Sequence, residues 1–143
     1  MAITNASPYS GFFSTPQSLP AGNQGAAGRI IGFRAQITFA SQAAADQIRL
    51  FKLPAGILPI VGLINTDTST GTATIAIGNS GATGKYRTAA TFTTTNTPNL
   101  FGNQAATGGI TPATATEEIL ATVAVASLPA SGQATIDLFC YSL

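Results

Sequence analysis

The sequence predicts an all-β fold, a β-sandwich or jelly roll with an extended N-terminal arm. Three observations predict it. Apolar and polar residues alternate with a period of two over several short runs, the pattern of strands with one face buried. Clusters of Gly, Pro and Asn separate those runs. No run shows the apolar stripe and caps of an amphipathic helix.

The chain divides into an arm, residues 1–28, and a β body, residues 29–143. The arm mixes Pro, Gly, Ser and Gln and has neither helical nor strand periodicity. Pro8, Pro16 and Pro20 each remove a backbone donor. Yet Tyr9, Phe12, Phe13 and Leu19 are too apolar for a plain linker. They fit either of two seats: their own domain or a neighbouring subunit, against which they would order on contact.

In the body, "RIIGFRAQITF" sets Ile31, Phe33, Ala35, Ile37 and Phe39 on one face. "SQAAADQ", 41–47, fits one short helical turn. "QIRLFKL" groups Ile48, Leu50 and Lys52 against Arg49, Phe51 and Leu53, with Ile48 and Leu50 as the apolar side. By the same parity Asp46 and Lys52 share a face. Arg49 and Lys52 read either as edge-protecting charges or as interface anchors. "TATIAI" turns Ala73, Ile75 and Ile77 inward, and "EILATVAVA" turns Ile119, Ala121, Val123 and Val125 inward. "ATIDLFCY" buries Ala134, Ile136, Leu138 and Cys140 and faces Thr135, Asp137, Phe139 and Tyr141 outward. Turns or loops fall at 53–56, 65–71, 78–84, 96–99, 102–109 and 128–132. "TFTTTNT", 91–97, reads as an exposed strand or a Thr-rich surface. About seven strands with a long connection over 78–116 suit a Greek-key or jelly-roll path.

Composition narrows the function. Charged residues are 8% of the chain, against about 25% in ordinary soluble domains. The net charge is +1, so no field recommends nucleic acid or an anionic membrane as a partner. A surface so poor in charge suits a protein covered by copies of itself or by another protein. "LPAGILPIVGLI" is too short to span a bilayer and holds two prolines, and the N-terminus lacks the pattern of a secretory signal. Cys140 is the one cysteine, so an internal disulfide is impossible; a small buried hydrophobe is expected there.

Histidine is absent. That removes Ser-His-Asp and Cys-His catalysis and zinc sites built from His and Cys. Glu117 and Glu118 are adjacent, so on a strand they face opposite ways and mark its start. Asp137 has Arg29, Arg34 or Arg49 as possible partners. Asp67-Thr68-Ser69 resembles an aspartic-protease loop, but that chemistry needs two carboxylates sharing a proton; a turn in which Asp67 bonds its own backbone is expected. "GNSGATGK" lacks the glycine spacing and the Ser or Thr of a phosphate loop. No enzymatic activity, cofactor or metal is expected.

Ile48, Leu50, Lys52, Leu53, Pro54 and Gly56 form an "I-x-L-x-K-L-P-x-G" segment, and residues 117–142 form a closing strand pair around a Gly-containing turn. With these motifs, residues 29–143 resemble the capsid decoration, or cement, proteins of tailed bacteriophages. The resemblance implies a β-sandwich subunit, often a homotrimer, on the outer surface of the virion capsid. It would be made in the bacterial host cytoplasm and clamp neighbouring major capsid protein subunits against the pressure of packaged DNA. Tyr9, Phe12, Phe13, Leu19, Arg49 and Lys52 are the interface residues expected on this reading. The competing readings are a glycan-binding β-sandwich module of a phage tail or adhesin, which the absence of Trp disfavours, and a hydrolase, which the absence of His disfavours.

Overall fold

The computed structural model describes residues 29–102 and 112–142. The arm, with Tyr9, Phe12, Phe13 and Leu19, lies outside the described residues, as does most of the loop expected at 102–109. Eight strands are described: β1 (Arg29–Thr38), β2 (Gln47–Leu53), β3 (Ile57–Thr66), β4 (Thr74–Asn79), β5 (Ala82–Ala90), β6 (Asn99–Phe101), β7 (Glu117–Ala124) and β8 (Gln133–Ser142). They form two antiparallel sheets, ordered β1-β8-β3-β6 and β2-β7-β4-β5. The first strand pairs with the last, the second with the seventh, the third with the sixth, and the fourth with the fifth. The chain is thus doubled like one long hairpin and wrapped into two layers, which meets the expectation of a β-sandwich or jelly roll. No described helix is long and apolar enough to cross a membrane.

The inward faces are those that period two marks. Ile37, Phe39, Ile75, Ile77, Ile119, Ala121, Val123, Ala134, Ile136, Leu138 and Cys140 are buried and make one core with Phe51, Leu53, Ile57 and Ile64. Burial of Cys140 pushes its thiol up to about 11, so it stays protonated and behaves as an apolar side chain. On one flank Phe33 of β1 meets Phe51 of β2, with ring centroids 6.0 Å apart. On the other, the Arg87 guanidinium of β5 donates from Nη1 to the Leu100 carbonyl of β6 at 2.9 Å and lies over the Phe92 ring. An aromatic pair closes one side of the sandwich and a cation that spans both sheets closes the other.

Several expectations are corrected. β2 carries a bulge: Arg49 pairs with Leu120 and Phe51 with Ile119, leaving Leu50 as the extra residue. Parity therefore resets, Phe51 and Leu53 are buried, and Lys52 joins Arg49 outside. No helical turn forms at 41–47: a turn at 44–45 leads into β2, because the backbone there is captured elsewhere. Ala45 N donates to Val123 O, Val123 N donates to Asp46 O, and Asp46 Oδ2 accepts from Ala43 N at 2.7 Å. Asp46 is a turn cap and shares no strand face with Lys52. β7 ends at Ala124, and Val125 is 76% exposed at a φ of 70° instead of inward. Leu128, in the loop after β7, is buried in the core.

Residues 78–84 hold a hairpin turn, as expected, but the long connection expected over 78–116 is broken by β5 and β6. Asn79 Oδ1 accepts from Gly81 N and Ala82 N, the self-capping that lets Asn close a tight turn. β5 escapes the alternation pattern because it is an edge strand that buries only Tyr86 fully. The 91–97 segment has no strand; Phe92 is buried and its backbone pairs with Thr70. Pro59 sits inside β3 where a bulge skips Ile60, the kind of place a ladder tolerates proline.

Gly62 and Gly132 are among the glycines set by close approach. A Cβ on Gly62 would fall 2.1 Å from the Phe101 ring across the β3–β6 pair. Gly132 has a φ of 117°, and a Cβ there would meet Thr68 Oγ1 at 2.4 Å. Beside it, Asp67 Oδ1 accepts from Gln133 N at 2.7 Å and Asp67 N donates to Gln133 O. The Asp67 loop is therefore tied to the start of β8, and not to its own backbone as expected.

Gly62→Ala is expected to destabilise the fold by about 1–3 kcal/mol through overpacking. Phe101→Leu makes room, so the double variant should lose less than the sum of the two single costs. Denaturant unfolding of the four proteins checks this, and strictly additive losses would contradict the contact.

Candidate functional site

Three places gather side chains that local packing alone does not require. The first is the outer face of the β2–β7 pair. The β2 bulge brings Arg49 and Lys52 to one face, opposite Glu118 of β7. Arg49 Nε lies 3.0 Å from Glu118 Oε1, with the Arg49 side chain 82% exposed. An ion pair so exposed contributes about 0–1 kcal/mol, so it does little for the fold. Arg49 and Lys52, the two expected interface residues that fall within the described chain, are thus brought together. The other four, Tyr9, Phe12, Phe13 and Leu19, lie outside it.

The second place is a polar cluster at the start of β7. Lys85 Nζ donates to both Glu117 oxygens at 2.8 Å, Asn79 Nδ2 donates to Oε1 at 2.7 Å, and the Tyr86 hydroxyl donates to Oε2 at 3.0 Å. Burial pushes the Glu117 carboxyl up, but the donors of Lys85, Asn79 and Tyr86 outweigh it, and the net displacement is below the usual range. The Tyr86 phenol is pushed well above its usual range, first by burial and then by its bond to Glu117. A carboxylate held charged and a phenol held neutral are poor proton-transfer partners near neutral pH. The cluster fastens the β4–β5 hairpin to β7. Glu117 is more than the strand-start marker expected; the missed signal is that Lys85 and Asn79 flank a hairpin turn whose pairing partner is β7. Beside the cluster a shallow groove of about 400 Å³ is lined by Lys85, Tyr86, Arg87, Thr88 and Phe101. Its two cations are engaged, Lys85 by Glu117 and Arg87 by the Leu100 carbonyl.

The third place is the outer face of the β1-β8-β3-β6 sheet. Register puts Ile30, Tyr141 and Leu58 in one cross-strand row and Gly32, Phe139 and Val61 in the next. A third row runs Arg34, Asp137, Leu63 and Leu100. Ile30 is 63% and Leu100 68% exposed. Farther along, Gln36, Thr135 and Asn65 make the face polar. The apolar part therefore lies at the end where residue 29 enters the body. Asp137 pairs with Arg34, the second of its three possible partners, through two bonds of 2.6 and 2.8 Å. Those bonds outweigh partial burial and hold the Asp137 carboxyl below its usual range. Among the described residues no three of Asp, Glu and Cys group as a metal site.

Because the folded Glu117 carboxyl titrates lower than in the unfolded chain, the unfolded chain takes up a proton first as pH falls. The stabilisation is complete above the ordinary glutamate value and is lost as pH drops through the folded value. Glu117→Gln should cost about 1–3 kcal/mol at pH 7 and flatten the stability decline as pH falls below the ordinary glutamate value. Thermal unfolding across that range checks both; an unchanged acid limb would contradict the assignment.

No protein-family model and no curated protein matches the sequence. Solved structures do resemble the fold. A chain of the cyanophage Pam1 capsid asymmetric unit is 20% identical, with a TM-score of 0.69 over 100% of both chains. A chain of the capsid of Ralstonia phage GP4 is 21% identical, with a TM-score of 0.63 over 90% of this chain and 92% of that one. A chain of the capsid of Helicobacter pylori bacteriophage KHP30 is 12% identical, with a TM-score of 0.55 over 78% of this chain and 86% of that one. At these identities the likeness is one of fold: the two-sheet body described above is shared with chains of three phage capsids.

Proposed function

We propose that this chain is a structural protein of a phage virion, a decoration or cement protein that binds the outer surface of the head. The observation that carries the reading is the fold likeness to a chain of the Pam1 capsid asymmetric unit over the full length of both chains. The surface chemistry supports it. A charge content of 8% leaves a neutral exterior suited to repeated protein contacts rather than to substrate binding. The partner is the major capsid protein, and the role is to bridge its neighbouring subunits. Many weak contacts repeated over a shell add to strong retention without any single strong site.

On this reading the strand path is that of a jelly roll, the subunit acts as a homotrimer, and it performs no catalysis. Arg49 and Lys52 serve as rim contacts to the shell, where exposed charges steer docking and set register more than they add affinity. The arm, residues 1–28, is a separate segment from the body, residues 29–143, and its Tyr9, Phe12, Phe13 and Leu19 are interface residues that bury apolar area against whichever protein surface seats them.

The test is sedimentation of purified protein with heads assembled from the major capsid protein of the phage that encodes it. Saturable co-sedimentation at a fixed ratio to capsid subunits is expected, together with slower heat disruption of decorated heads. Arg49→Ala with Lys52→Ala should keep the fold within about 0.5 kcal/mol while weakening head binding several-fold at low salt and less at high salt. Protein that stays in the supernatant at every concentration would reject the reading.

A further inference from the structure

We propose that the apolar outer face of the β1-β8-β3-β6 sheet is the seat of this chain's own N-terminal segment, with Tyr9, Phe12, Phe13 and Leu19 laid across it. This does not rest on the capsid reading; it concerns the isolated chain. The face is formed by Ile30, Leu58, Val61, Leu63, Leu100 and Tyr141, which register places in adjoining rows. An apolar face of that kind on a sheet is normally covered.

Three observations choose the occupant. First, the chain enters the body at this end of the face: Arg29 opens β1, and Ile30 belongs to the first apolar row. Leu19 precedes Arg29 by ten residues, a reach of about 33 Å. The four strands are about 14 Å across, so the segment can cover the whole width. Second, Gly22, Gly25 and Gly28 lie between Leu19 and Arg29, so the reversal needed to double back meets little steric resistance. A tether this short gives an effective concentration on the order of mM, which favours the chain's own segment over a free competitor. Third, residues 1–28 contain no Asp, Glu, Lys or Arg. The segment brings no charged side chain of its own to desolvate, and Pro8, Pro16 and Pro20 bring no N–H; on the face, Arg34 and Asp137 already satisfy each other.

The experiment uses the full chain with the photoreactive residue p-benzoylphenylalanine in place of Phe12. Equal amounts of ordinary and nitrogen-15-labelled protein are mixed in denaturant, refolded together, irradiated, digested and read by mass spectrometry. The expected cross-links join residue 12 to peptides holding Leu58 to Leu63, Leu100, or Phe139 to Tyr141, with both halves of one isotope. Leu100→Asp, at a site already 68% exposed, should lower the yield at least fivefold with an unchanged circular dichroism spectrum. Arg49→Ala, on the opposite sheet, should leave the yield unchanged. Cross-links of mixed isotope would assign the face to a second copy's segment and overturn the proposal. Cross-links elsewhere, none at all, or a yield indifferent to Leu100→Asp would also overturn it. Head binding does not enter this readout, so its failure and that of the capsid reading are separable.

Discussion

Two four-stranded sheets that share one dry interior are the constraint on which the rest of the molecule depends. Each sheet must bury one face against the other, and a chain poor in charge leaves few groups that resist burial. β8 and β3, and β7 and β4, are each paired on both sides, and β7 and β8 turn a continuous apolar row inward. Irregularities elsewhere are adjustments to that seam. The β2 bulge brings Phe51 and Leu53 into the core, and the β3 bulge accommodates Pro59 while Gly62 makes room for the Phe101 ring.

The ends of the sandwich are handled by polar chemistry. Glu117 gathers Lys85, Asn79 and Tyr86 into one cluster that joins three strands. Asp67 performs a related task at the start of β8 by bonding the Gln133 backbone. These carboxylates are committed to structure. The hydrogen-bond donors around Glu117 hold it charged, which is the opposite of what a proton-transfer group near neutral pH requires. Among the described residues most of the few charges are committed to such contacts.

The two outer faces differ in kind. That of the β2–β7 pair has an exposed charge trio, Arg49, Lys52 and Glu118. The outer face of the other sheet is apolar at the end where the chain enters and polar at the far end. The two outer faces thus differ in chemistry, one charged and the other apolar over part of its length.

Much of this was legible in the sequence, because period-two alternation reports directly which side chains a sheet buries. The all-β class, the inward rows of β1, β4, β7 and β8, the burial of Cys140 and the opposed Glu117 and Glu118 all follow from parity within one strand. What the tertiary structure decided are the facts that depend on which strand lies beside which. Lys52 joined Arg49 because a bulge against β7 reset the parity, and Asp137 took Arg34 because β1 and β8 pair in that register. β5 is an edge strand with too few apolar residues to announce itself. The apolar face assembles from Ile30, Leu63, Leu100 and Tyr141, residues far apart in the chain that only the wrapping of the strands brings together. Local alternation is a property of consecutive residues; the sharing of a face is a property of pairing between distant ones, and no single stretch of sequence encodes it.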